Sequence, residues 1–286
     1  MKPLLKWAGG KSRLAPSIAG VFGGPCEGTY FEPFLGSASV FLYLRSEGLV
    51  ERAVLSDVNP KLIGLHTAIR DDVEGVLSAL GDLPKDDWRE RYYDVRERFN
   101  EGPFEGCEHA AHFLWLNRAG FNGLYRENRS GKYNVPIGSY ASVKLPAEEH
   151  FRAVSALMQG VELVSASFRD VLDRAGRGDH VYCDPPYVPL SVTANFTGYS
   201  SEPFDYAEQR GLADAARDAG NRGARVVLSN HDLPVVRKDL YAQASGFEHA
   251  ARPRVARAIS RSAHKRKAVR EMIAAIGPAA AEKAVS

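Results

Sequence analysis

Short apolar blocks that stop abruptly at a glycine or an acid recur along the chain. TYFEPFLG reads as a buried strand closed by a glycine turn at Gly36, and SASVFLYLRSEG as an amphipathic helix ending at Gly48. RAVLSDVNP is the next strand, and it ends at Asp57. Strand, glycine turn, helix, strand and then an acid about 20 residues on is the order of a nucleotide-binding βαβ unit. VELVSASF, HVYCDPPY and ARVVLSNHD repeat the buried-strand pattern with polar ends. These signals together predict one mostly parallel sheet in an α/β fold.

Between Pro60 and Lys144 the pattern turns helical and rich in aromatic and charged residues, as in DDWRERYYDVRERFN and EHAAHFLWLNRAG. FNGLYRENRSGKYNVPIGSY follows, with alternating residues on both sides of Ser130-Gly131, which predicts a hairpin turn. We therefore expect an α/β domain over residues 1–57 and 145–286, interrupted by a helical insertion with a β-hairpin over residues 58–144.

Composition narrows the class without naming it. With 286 residues, 44% hydrophobic and 25% charged, the chain is long enough for a full core plus a smaller second domain. No apolar run approaches the roughly 20 residues that span a bilayer, and Met1–Trp7 is not followed by a signal-peptide core, so the cytoplasm is the expected compartment. Cys26, Cys107 and Cys183 lie far apart without metal-ligand spacing, and we read them as reduced packing residues with no metal expected. The net charge of +2 says little, but Arg252, Arg254, Arg257, Arg261, Lys265, Arg266, Lys267 and Arg270 form a run without an acid. Such a run is either a solvated basic face or a phosphate-contacting surface.

The chemistry gathers where strands end. Asp184-Pro185-Pro186-Tyr187 follows an apolar run, and prolines lack a backbone donor and fix φ, so these residues leave the sheet as a stiff, non-helical loop. Methylating an aromatic amine is difficult because the lone pair is delocalised into the ring. Two acceptors on the amino hydrogens favour a more tetrahedral nitrogen; Asp184 offers a carboxylate and Pro185 a carbonyl, while Tyr187 stacks on the base. A rigid turn is the plainer reading of the same four residues. Gly36, Ser37 and Ala38 form a loosened dinucleotide fingerprint before a helix N-terminus, and Asp57 is placed to accept from two ribose hydroxyls or simply to cap a helix. Gly9-Gly10-Lys11 is a surface turn or an anion-binding loop, but not a P-loop. These residues alone leave open an amino methyltransferase acting on adenine, cytosine, RNA or a glutamine side chain. A DNA-binding regulator without catalysis fits less well, because Gly36, Asp57, Asp184 and Tyr187 are all intact.

Taken in order, LLKWAGGK, EPFLGSASVF, LSDVNPKLI, LNRAGFNGLYREN, YNVPIGSY, VYCDPPYVPLSVTANFTGY and LSNHD resemble the Dam-type, D12-class DNA adenine methyltransferases, which methylate adenine within GATC. The resemblance covers most of the chain. It implies a Rossmann-like S-adenosylmethionine-dependent methyltransferase sheet with a DNA-recognition insertion, acting on double-stranded DNA by base flipping, as a monomer in the cytoplasm near the nucleoid. For the cofactor it implies Trp7, Lys11, Glu32, Phe34, Gly36, Asp57, Phe168 and Asp184; for catalysis, Asp184, Pro185, Pro186 and Tyr187. Phe121, followed by Asn122, stands where the family places an intercalating ring, with the tyrosine hydroxyl of several members missing. The resemblance sets Lys6 on the first guanine, Arg126 on a base edge, Leu124, Pro136 and Tyr140 on outer bases, and Asn128 and Asn134 on phosphates. Trp7 and Phe168 are otherwise ordinary core aromatics, and the hairpin's polar residues an ordinary exposed turn.

Overall fold

The computed structural model describes residues 1–189, 204–255 and 269–279. The end of the VYCDPPYVPLSVTANFTGY stretch, the basic residues Arg257, Arg261, Lys265, Arg266 and Lys267, and most of the Ala-rich tail lie outside them. In chain order the first elements are α1 (Ala15–Phe22), β1 (Thr29–Glu32), α2 (Ser39–Ser46), β2 (Arg52–Asp57) and α3 (Pro60–Asp71). There follow α4 (Val73–Gly81), α5 (Trp88–Glu101), α6 (Gly106–Ala119), α7 (Glu148–Met158), β3 (Glu162–Ser165) and α8 (Phe168–Arg174). The last are β4 (His180–Cys183), α9 (Tyr206–Asn221), β5 (Arg225–His231), β6 (Glu248–Ala251), β7 (Arg254–Val255) and β8 (Val269–Ile276). The chain forms two compact units. One comprises Met1–Ser12, Gly36–Ser46 and Asn59–Ser165; the other, Arg13–Leu35, Glu47–Val58 and Ala166–Ser286.

The second unit holds the parallel strands, in the order β2-β1-β4-β5. All four residues of β4 are buried, which is why its sequence is a continuous apolar run rather than an alternating one. Because the strands run the same way, Glu32, Asp57, Asp184 and the Asn230-His231 pair emerge at one sheet edge. Beyond β5 the direction reverses: β8 pairs antiparallel with β5 and then with β6 and β7. The apolar-block reading did not list β8, because VREMIAAI follows directly on the basic run. Arg225, 5% exposed, ties this edge together by two bonds to Glu248 and others to the Val21 and Gly277 carbonyls.

The first unit is helical. Trp88, Tyr92, Val95 and Phe99 recur at helical spacing and form the buried stripe of α5, packing with α6. Each such side chain contributes about 1.5–3 kcal/mol by leaving water. α3, capped by Asn59 through its bonds to the Lys61 and Leu62 amides, packs on α4, α6 and α7. β3 is half-exposed rather than buried, since Leu163 and Val164 are flanked by Glu162 and Ser165. Around Ser130-Gly131 the chain turns back as expected: Asn134 N donates to Arg126 O at 3.0 Å, Asn128 N donates to Lys132 O at 2.9 Å, and Glu127 bridges Tyr133.

Candidate functional site

In the second unit, the Asp184–Tyr187 loop leaves β4 at the sheet edge and is held by side chains. Pro186 O accepts from Gln209 Nε2 at 2.6 Å, and Val188 N donates to Asn230 Oδ1 at 3.1 Å. Tyr187 packs edge-on against His231, with ring centroids 4.9 Å apart, and donates its hydroxyl to Glu271 Oε2 at 2.9 Å. Burial, then Asp184, Tyr182 and Glu271, hold the Tyr187 phenol well above its ordinary pKa, so it stays a donor. Glu32 is 2% exposed and accepts from Tyr30 at 2.6 Å. Asp57 ends β2, half-buried. Phe34 and Phe168 stack with centroids 5.8 Å apart, and Phe168 opens α8 directly after Ser167, whose capping box with Asp170 fixes the helix start.

In the first unit, Gly36 has φ +49°, and a Cβ there would stand 2.8 Å from the Trp7 ring, so only glycine fits. Ala38 has φ +60°, a left-handed backbone held in a fully buried residue. His66 Nε2 donates to Gly36 O at 2.9 Å, and burial lowers its pKa to about 4, so the ring is neutral and bolts the glycine turn to α3. Lys11 is 4% exposed; its amide donates to Ser39 Oγ at 3.0 Å and its ammonium to Gly9 O at 2.6 Å. Gly9 and Gly10 are exposed, so the segment is a surface turn anchored by the buried Lys11. Trp7 stacks on Tyr125, which stacks on Phe113 at 5.1 Å and 7°.

The hairpin side of this unit is tightly specified as well. Asn117, 2% exposed, accepts from Lys6 N and donates to the Lys6 and Gly123 carbonyls at 2.8, 2.8 and 3.0 Å. Lys6 Nζ lies 4.7 Å from the Tyr140 ring centroid, and burial followed by Arg118 lowers the Lys6 pKa. Phe121 is exposed and opens a short turn through Asn122, whose φ of +55° is left-handed. Arg126 is exposed; its Nε donates to Asn134 Oδ1 at 2.6 Å and its Nη2 to Asn134 O at 3.1 Å. Asn128 Oδ1 accepts from Ser130 and from Lys132 N, holding the turn. Lys61, buried at the start of α3, donates to Glu127 Oε1 at 2.7 Å and Gly131 O at 2.5 Å. Leu124 and Tyr140 are half-buried and Pro136 exposed.

The sequence profile of the D12 class N6 adenine-specific DNA methyltransferases matches residues 7–258. The chain belongs to this family. A DNA adenine methylase of Vibrio cholerae is 37% identical over 97% of this chain and 96% of its own length. One of Haemophilus influenzae is 36% identical over 96% and 94%. A type II methyltransferase of Lactococcus lactis is 33% identical over 84% of each chain. As a D12-class enzyme, the protein methylates adenine in DNA at N6. Among the described residues, no helix is long and apolar enough to cross a membrane. For this D12 enzyme, the single-residue reading passed over Lys61, His66, Asn117, Gln209 and Asn230. Lys61, Asn117 and Asn230 stand inside the family-like stretches LSDVNPKLI, LNRAGFNGLYREN and LSNHD, where a signal was present; His66 and Gln209 had none.

Proposed function

We propose that the enzyme transfers the methyl group of S-adenosylmethionine to adenine N6 in duplex DNA, within GATC, after rotating the adenine out of the helix. The observation that carries this is the fixed Asp184–Tyr187 loop at the sheet edge where the parallel strands end. S-adenosylmethionine supplies a methyl already activated on a sulfonium. The enzyme's residues do the rest. Asp184 and the Pro185 carbonyl accept hydrogen bonds from the two amino hydrogens and turn the nitrogen lone pair out of the ring plane, while Pro186 stiffens the loop and Tyr187 stacks on the base. The N–C bond forms as the S–C bond breaks, the S–C electron pair staying on sulfur in a neutral thioether that leaves, and one amino proton passes to Asp184 or water. Asp57 takes the ribose hydroxyls, Phe34 and Phe168 border the donor's adenine, and Glu32, Trp7, Lys11, Gly36 and Asp184 complete the donor's contacts. This donor fits the residues of the second unit: a stacked aromatic pair for its adenine and a half-buried acid for its ribose.

Flipping costs a few kcal/mol of unstacking, and the exposed Phe121 ring, set by Asn122, offsets part of it by filling the gap. Lys6 faces the first guanine and Arg126 reads a base edge, Leu124, Pro136 and Tyr140 read the outer bases, and Asn128 and Asn134 donate to phosphates through their amide nitrogens. Residues 58–144 thus act in recognition and residues 1–57 and 145–286 in catalysis, with the protein working as a cytoplasmic, nucleoid-associated monomer. The test is tritiated methyl transfer to duplexes free of adenine methylation, carrying GATC or one-base variants, with RNA and single-stranded DNA as controls. Incorporation confined to GATC duplexes, with matching loss of cleavage by a methylation-sensitive nuclease, is expected. Equal labelling of the one-base variants would remove GATC from the reading.

A further inference from the structure

We infer that Gln209 and Asn230 are positioning residues that set the geometry of the Asp184–Tyr187 loop for methyl transfer. The inference rests on the reading of that loop as the site of transfer. Two consecutive prolines deprive the loop of the N–H groups with which a turn normally braces itself, so its far end must be held from outside. Gln209 and Asn230 do this as a linked pair. Gln209 Nε2 donates to Pro186 O at 2.6 Å, Asn230 Oδ1 accepts from Val188 N at 3.1 Å, and Asn230 Nδ2 donates to Gln209 Oε1 at 3.1 Å. Asn230 Nδ2 also reaches the Tyr241 hydroxyl at 3.4 Å, and His231 Nδ1 lies 2.7 Å from Val188 O.

The placement of the pair is unusual for amides. Gln209 is 2% exposed on the face of α9 that otherwise buries Leu212, Ala213, Ala216 and Ala219, and Asn230 is fully buried at the end of β5. A buried amide is unfavourable unless its hydrogen bonds are made, and here the bonds fall on the catalytic loop. β4 fixes the loop where it starts and the two amides fix it where it ends. With φ locked at both prolines, little freedom remains for the Asp184 carboxylate and the Pro185 carbonyl between them. Gln209 holds Pro186 O at 2.6 Å and so fixes the peptide that follows the Pro185 carbonyl, the acceptor proposed for the substrate amine. A displacement of about 1 Å at reacting groups costs on the order of 100-fold in rate, so such bracing is of direct catalytic consequence.

The experiment compares wild type, Gln209→Met, Gln209→Glu and Asp184→Ala in the full chain. It measures single-turnover methyl transfer to a GATC duplex, separate affinities for S-adenosylmethionine and DNA, and the urea midpoint. Gln209→Met is expected to lose 10- to 100-fold in the transfer rate, with both affinities within about threefold of wild type. Gln209→Glu regains rate as pH falls, because a protonated carboxyl donates to Pro186 O and an ionised one does not. An unchanged rate in folded Gln209→Met overturns the inference. So does a parallel loss of rate, affinities and stability, which marks Gln209 as a packing residue. If Gln209→Met does not fold, a pH-independent rate in Gln209→Glu overturns it equally. Full transfer by Asp184→Ala would instead refute the reading of the loop itself, and this inference would fall with it; an inactive Asp184→Ala beside an unaffected Gln209→Met refutes the bracing alone.

Discussion

The sheet-edge loop of the second unit and the hairpin of the first both present polar groups from a few irregular residues, but they are held in opposite ways. The bonds that brace Pro186 and Val188 come from side chains shielded from water. Arg126 at the hairpin is braced by Asn134 across exposed surface, and the turn is tied by Asn128, while Lys61 and Tyr92 support the hairpin backbone from the buried side. A buried bond has no water to replace it, so breaking it carries the full desolvation cost; an exposed bond exchanges with water or a ligand at little net change. Geometry that must be ready before the substrate arrives is secured inside. The Arg126–Asn134 bonds lie outside, pre-oriented and exchangeable, as the proposed base-edge contact would need.

The sharpest break in this comparison is Asp184→Ala. It should lower methyl transfer by about a thousandfold or more while donor affinity stays within about tenfold, since the carboxylate acts on the amine as it reacts. Turnover and donor binding measured separately decide it; near-normal turnover removes Asp184 from the mechanism.

Acid tests whether the two regions share one stability. His66 in the first unit and His180 in the second are buried and neutral, each with a pKa lowered to about 4, mainly by desolvation. His109 and His112, also in the first unit, are lowered too. A histidine that binds its proton only when unfolded leaves stability complete above pH 6.5 and drains it down to about pH 4. Each of His66 and His180 accounts for on the order of 3 kcal/mol across that window. Hydrogen exchange at pH 7 and pH 5 should show both units losing protection, the helical unit more; equal loss, or none, contradicts the histidine account.

The smallest expected effect is on reading. Arg126→Ala should reduce discrimination between GATC and single-base variants by about 5- to 150-fold, the 1–3 kcal/mol of a bidentate contact, and reduce binding to random DNA much less. Asn134→Asp keeps the oxygen that holds Arg126 and removes the amide donor, so it should preserve discrimination while weakening binding to all DNA. Rates on matched and altered duplexes, with the salt dependence of non-specific binding, separate the two. Full GATC preference in Arg126→Ala would make that side chain a backbone clamp.

What the sequence alone determined is local: the βαβ order ending at Asp57, the stiff Asp184–Tyr187 loop, the helical stripe from Trp88 to Phe99 and the turn at Ser130-Gly131. Each follows from periodicity, from proline's fixed φ or from glycine's freedom, all written in neighbouring residues. The family motifs extended this to candidate roles but not to the supports beneath them. Only the tertiary structure set Gln209 against Pro186, Lys61 against Glu127 and His66 against Gly36, and only it turned β8 antiparallel beside β5. Those pairings join residues tens of positions apart. Apolar periodicity says that a face is buried but not which partner meets it, and a polar residue on such a face shows its purpose only when the group it bonds has been brought beside it.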